Sequence, residues 1–131
     1  LKVILETPEL DLSYVELGAK LSLEIGADFI KTSTGKEPQN ATLPVSLVML
    51  RIIRDYYQKI GHSVGFKPAG GIRNAKQALE WQILMKEELG REWLEPELFR
   101  FGASGLLTDI ERQLEHFVTG RYSAAYRQPM G

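Results

Sequence analysis

GADFIKTSTGK, Gly26 to Lys36, is the stretch on which the fold turns. Asp28 to Thr32 reads as a short strand, Gly26 before it suits the left-handed cap of a preceding helix, and Lys31 ends the apolar pair Phe29–Ile30. A charge is costly there. Strands of a parallel sheet are apolar on both faces, so an inward ammonium must be paired, hydrated by a cleft, or neutral. Burial and a nearby positive charge both lower a lysine's pKa, and a neutral amine attacks carbonyls.

Reading outward, the same strand-then-helix unit recurs. Lys2 to Glu6 forms the strand before it, and a helix from about Leu12 to Ile25 lies between. On the far side, Val45, Val48, Met49, Ile52, Ile53 and Tyr56 follow helical spacing, with Thr42 as cap and Pro44 in the first turn. Val64 to Lys67 is the next strand. Asn74 and Gln77, spaced as in a capping box, open a third helix. Phe99 to Gly102 is the last strand, and Leu107, Ile110, Leu114, Phe117 and Val118 define one side of a final helix.

Four βα units predict an α/β fold with parallel strands and right-handed crossovers, either doubly wound or a barrel. Four strands cannot close a (β/α)8 TIM barrel, which needs eight strands and about 250 residues. If the fold is a barrel, 1–119 is half of one and 120–131 is a tail without periodicity. Two sheet edges and the inner face would then be uncovered, which favours self-association or pairing with a missing N-terminal half.

Sixteen basic against seventeen acidic residues leave a net charge of −1, with no field to gather nucleic acid or an anionic membrane. No apolar run reaches the roughly 18 residues of a membrane span. With no cysteine, there is no disulfide framework and no thiolate metal site, and the expectation is a cytoplasmic protein.

VGFKPAGGI, Val64 to Ile72, repeats the central oddity, with Lys67 ending its strand at the position equivalent to Lys31. Neighbouring strands lie about 4.8 Å apart, so two inward lysines at one level repel and hold one of the pair neutral. Either could be the nucleophile on this argument. Gly70–Gly71 and FGASG, Phe101 to Gly105, are small-residue loops running into helices, suited to holding a phosphate on main-chain amides, with Ser104 in the second. Barrel enzymes commonly hold phosphate on the loops after strands seven and eight, and these are the last two βα loops of this chain, which favours the barrel.

FIKTSTGK, VGFKPAGGI and FGAS, in this spacing, resemble the deoxyribose-phosphate aldolase family from Leu1 to about Gly120. The resemblance implies the C-terminal half of a TIM barrel, strands five to eight. It also implies a class I aldolase that reversibly cleaves 2-deoxy-D-ribose 5-phosphate to acetaldehyde and D-glyceraldehyde 3-phosphate, with no metal or other cofactor. It makes Lys31 the Schiff-base lysine and Lys67 the partner that lowers its pKa, and it sets Lys36, Gly70, Gly71, Ser104 and Gly105 at the phosphate end. The family's proton-transferring aspartate belongs to an earlier strand absent here, Gly105 stands where many relatives carry a second serine, and Tyr126 in the tail could replace a tyrosine that some members insert into the site. An incomplete, inactive fragment is therefore expected unless it is complemented. The alternatives are a Schiff-base aldolase for another phosphorylated sugar and a non-catalytic phosphate-binding half-barrel.

Other polar residues have ordinary explanations. Glu6, ending the first strand, is either a site carboxylate or a structural partner for an inward lysine and is not counted among the catalytic residues, and His62 and His116 lie away from any expected site. Trp81 and Trp93 are read as packing residues.

Overall fold

The computed structural model describes residues 1–38 and 40–124; Tyr126 lies outside them. Three strands, β1 (Lys2–Ile4), β2 (Phe29–Lys31) and β3 (Gly65–Lys67), form a parallel sheet in that order. Between and after them run α1 (Leu12–Glu24), α2 (Leu43–Ile60), α3 (Ala75–Leu89) and α4 (Leu106–Thr119).

The helix boundaries follow from their caps. Asp11 accepts the Ser13 and Tyr14 amides at the start of α1, and Thr42 accepts that of Val45 at the start of α2. Gly61, at φ 78°, closes α2 in the left-handed conformation. Asn74 caps α3 through the Gln77 amide, but the Gln77 side chain returns to Arg73 N–H, one residue earlier than a simple capping box would place it.

Register divides the sheet into two faces. Val3, Ile30 and Phe66 are aligned and pack with the helices, where Val15, Leu23, Met49, Leu50, Ile53, Trp81 and Met85 complete the core. Trp81 donates to Ser46 Oγ at 3.3 Å and Trp93 to the Val64 carbonyl at 3.0 Å, so both indoles are buried with their polar edges satisfied.

The predicted fourth strand, Phe99 to Gly102, is a corrected expectation: it is two isolated parallel bridges, Phe66 to Phe99 and Ala69 to Gly102. The cause is Pro68. Phe66 N–H reaches the Leu98 carbonyl, Arg100 N–H the Phe66 carbonyl, Gly102 N–H the Pro68 carbonyl, and Gly70 N–H the Gly102 carbonyl. In that alternation the next donor should be residue 68, and proline has no N–H.

The apolar stripe of α4 also departs from expectation. Leu106 is buried and Ile110 packs on the core, whereas Leu107, Leu114, Phe117 and Val118 are exposed, Phe117 at 87%. The helical spacing holds, but most of that face is exposed among the described residues. Leu12, Leu17, Leu21 and Ile25 are likewise exposed on and just after α1, at the other end of the sheet.

Candidate active site

The second face of the sheet carries the chemistry. Lys2, Phe29 and Gly65 are aligned at one level, and Ile4, Lys31 and Lys67 at the next, toward the C-terminal ends of the strands. The two lysines singled out by sequence are therefore direct register partners on adjacent strands, and both are half-buried.

Below them the Phe29 ring lies between two cations, with Lys2 Nζ 5.4 Å and Arg100 Cζ 4.9 Å from its centroid. Gly65 makes the room: a Cβ there would stand 2.5 Å from the Phe29 ring. Lys2, Lys31, Lys67 and Arg100 thus share one open face. Among the described residues none of them has a carboxylate within ion-pair distance. Burial, and then the charges of Lys2, Lys31 and Arg100, hold the Lys67 ammonium below its ordinary value. A pair in which one amine loses its proton readily next to a second cation can form a carbinolamine with an aldehyde and then an iminium.

Glu6 is not the lysine's partner. Its carboxylate accepts the Thr34 N–H at 3.1 Å from both oxygens, and its backbone is left-handed, at φ 53° and ψ 56°. It fixes the start of the loop after β2. Beyond that loop lies a predominantly polar cavity of about 330 Å³, lined by Thr34, Gly35, Gly70, Gly71, Ile72, Arg73 and Gly102 to Gly105.

Four of the five residues expected at the phosphate end, Gly70, Gly71, Ser104 and Gly105, meet at this cavity. Lys36 does not line it and is exposed on the same loop. Gly70 and Gly71 both adopt φ 85°, a left-handed conformation that L side chains rarely take. Gly105 opens α4 with no side-chain cap, so the first amides of that helix keep donors free for an anion.

Arg73 and Gly102 were missed by sequence reasoning. Arg73 is the one basic residue lining the cavity, and its place two residues past Gly71, before a capped helix, is a signal the sequence carries. Gly102 lets two parts of the site touch: a Cβ there would lie 3.3 Å from Lys67 Cε and 2.6 Å from Ala69 Cβ. Its side of the cavity therefore adjoins the lysine pair.

Comparison with known proteins agrees with this geometry. Residues 6–107 match the model of the DeoC/LacD family aldolases. The chain is 61% identical to the human and bovine deoxyribose-phosphate aldolases over 131 residues, covering 99% of itself and 41% of each relative, so it spans about two-fifths of their length. A solved structure from Toxoplasma gondii ME49, provisionally named a deoxyribose-phosphate aldolase, superposes with a TM-score of 0.77 at 26% identity, covering 85% of this chain and 44% of the other. The architecture described above is that of part of a (β/α)8 barrel.

Proposed function

This chain belongs to the DeoC/LacD family of aldolases, and from that membership we propose that it supplies the nucleophile and phosphate site of a Schiff-base aldolase for 2-deoxy-D-ribose 5-phosphate. The observation that carries the reading is the register pair Lys31–Lys67 on an open sheet face, adjoining an anion-suited cavity through Gly102.

In the cleavage direction the neutral amine of Lys31 attacks the C1 aldehyde of the open-chain sugar. The carbinolamine loses water to give an iminium. A base takes the C3 hydroxyl proton, the C2–C3 bond breaks, and its electron pair moves into the iminium to give an enamine while C3 becomes the aldehyde of glyceraldehyde 3-phosphate. Protonation of the enamine at C2, followed by hydrolysis, releases acetaldehyde and restores the amine. Lys67, the register partner of Lys31 on the adjacent strand, is on this reading the residue that works beside the nucleophile. The phosphate, held by Gly70, Gly71, Arg73, Ser104 and Gly105, orients the reacting carbons.

Among the described residues no carboxylate lies within ion-pair distance of Lys31 or Lys67, and on this reading the group that moves the C3 hydroxyl proton is an aspartate of an earlier strand. On this reading β1, β2 and β3 are strands five to seven of the barrel, and the bridged segment from Phe99 to Gly102 stands in the place of strand eight. The open cationic face and the exposed apolar residues of α1 and α4 support closure by further βα units, either the remaining barrel or a second copy. The test is turnover. The complete polypeptide releases acetaldehyde and glyceraldehyde 3-phosphate from the sugar phosphate, and the isolated 131-residue chain does not; failure of the complete polypeptide to cleave this substrate contradicts the reading.

A further inference from the structure

The ladder between β2 and β3 ends at the lysines, where Thr32 N–H donates to the Lys67 carbonyl at 3.2 Å. Past that point two side chains take over the work of the backbone. Thr32 Oγ1 accepts the Ala69 N–H at 3.0 Å, and Ser33 Oγ donates to the Ala69 carbonyl at 2.7 Å. Both hydroxyl residues are fully buried. The same carbonyl receives the Ala41 N–H at 3.2 Å, and Ala69 is bridged to Gly102 on its other side. Ala69 is thus held from three directions, immediately before the left-handed Gly70–Gly71 turn that lines the anion cavity.

Nothing in strand formation requires this. Beside β3 the 99–102 segment is held by two isolated bridges, whereas Ala69 is gripped in addition by the two residues that directly follow Lys31. We propose that Thr32 and Ser33 are positioning residues that register the anion-binding Gly70–Gly71 loop against Lys31, so that the distance from the phosphate to the reacting amine is fixed by one tripeptide. The proposal rests on the aldolase reading for its substrate, but not for its anion. Because a misplacement of about 1 Å can cost about 100-fold in rate, two buried hydroxyl bonds are enough to matter.

The test uses the intact protein with Thr32→Val, which keeps shape and removes the hydroxyl, Ser33→Ala, and Thr32→Ser as the conservative variant. Three quantities are measured: kcat/KM for 2-deoxyribose 5-phosphate, kcat/KM for unphosphorylated 2-deoxyribose, and the dissociation constant of inorganic phosphate by calorimetry. Thr32→Val and Ser33→Ala are expected to lower the preference for the phosphorylated sugar and weaken phosphate binding by about 10-fold or more, the scale of one misaligned charge-assisted contact, with Thr32→Ser restoring both. Equal losses for the two sugars with unchanged phosphate affinity would mean a merely structural role and overturn the proposal. If Thr32→Val does not fold, Ser33→Ala and Thr32→Ser decide on the same readouts. If the unaltered protein cleaves neither sugar, the aldolase reading has failed, and phosphate affinity across the variants still decides for or against the clamp.

Discussion

Lys31 and Lys67 stand opposite one another as register partners at the ends of β2 and β3, on a face that carries two further cations and, among the described residues, no paired carboxylate. Two ammonium groups at that separation are strongly disfavoured outside bulk water. Burial and the charges of Lys2, Lys31 and Arg100 accordingly hold the Lys67 ammonium below its ordinary pKa. Replacing Lys67 with Met is expected to lower kcat by about 100-fold or more, the lower end of what a tuned acid–base partner contributes. A kcat unchanged in Lys67→Met would remove Lys67 from the reaction.

The same geometry gives a stability signature. The folded-state pKa of Lys67 lies below its ordinary value of 10.5, so across the interval between the two the unfolded chain binds more protons. Stability attributable to this group therefore rises as pH rises through that interval, and the charge penalty is fully present below it. Denaturant unfolding from neutral to alkaline pH should show the rise in the unaltered protein and a smaller one in Lys67→Met.

Gly102→Ala tests the wall between lysine and cavity. Its Cβ would stand 2.6 Å from Ala69 Cβ and 3.2 Å from Ala69 Cα, and backbone must move to relieve the clash. A loss of about 1–3 kcal/mol, the usual cost of overpacking, is expected in denaturant unfolding. Phosphate affinity should fall with it, because Ala69 leads directly into the anion loop.

Glu6 is held in a left-handed conformation that costs a non-glycine residue about 1–3 kcal/mol, while its carboxylate anchors Thr34. Glu6→Gly removes strain and anchor together. Thermal stability is expected to change little, while KM for the phosphorylated sugar rises, since Thr34 and Gly35 line the cavity. A large loss of stability with KM unchanged would mean that the anchor serves folding alone.

Arg73→Ala should weaken inhibition by inorganic phosphate about 10-fold or more, as expected for a charge-assisted contact worth about 1.5–3 kcal/mol. Lys36→Ala should have the smaller effect, because Lys36 does not line the cavity. The reverse order in an inhibition assay would reverse the two assignments.

The parts of this site that could be read in the sequence are those fixed by local chemistry. A lysine after Phe29–Ile30 and another after Gly65–Phe66 identify strand ends, and Asn74 and Thr42 identify helix starts, because strand pattern and capping act within a few residues. What escaped depends on partners distant in sequence. The fourth strand fails to form a continuous ladder because Pro68, on the neighbouring strand, lacks one donor. The outward stripe of α4 looks like a core face because periodicity records amphipathicity and not what covers it. Charge allows Glu6 to be either a site carboxylate or a lysine's partner, whereas its carboxylate in fact accepts the Thr34 amide.

The central claim is that Lys31 forms the covalent bond, and geometry alone would allow either lysine to do so. Borohydride reduction of the intact protein in the presence of acetaldehyde, followed by peptide mapping, separates them. The account predicts a stable ethyl adduct on the peptide containing Gly26 to Lys36, at Lys31, and none at Lys67. An adduct confined to Lys67, or no adduct on either lysine, would contradict it.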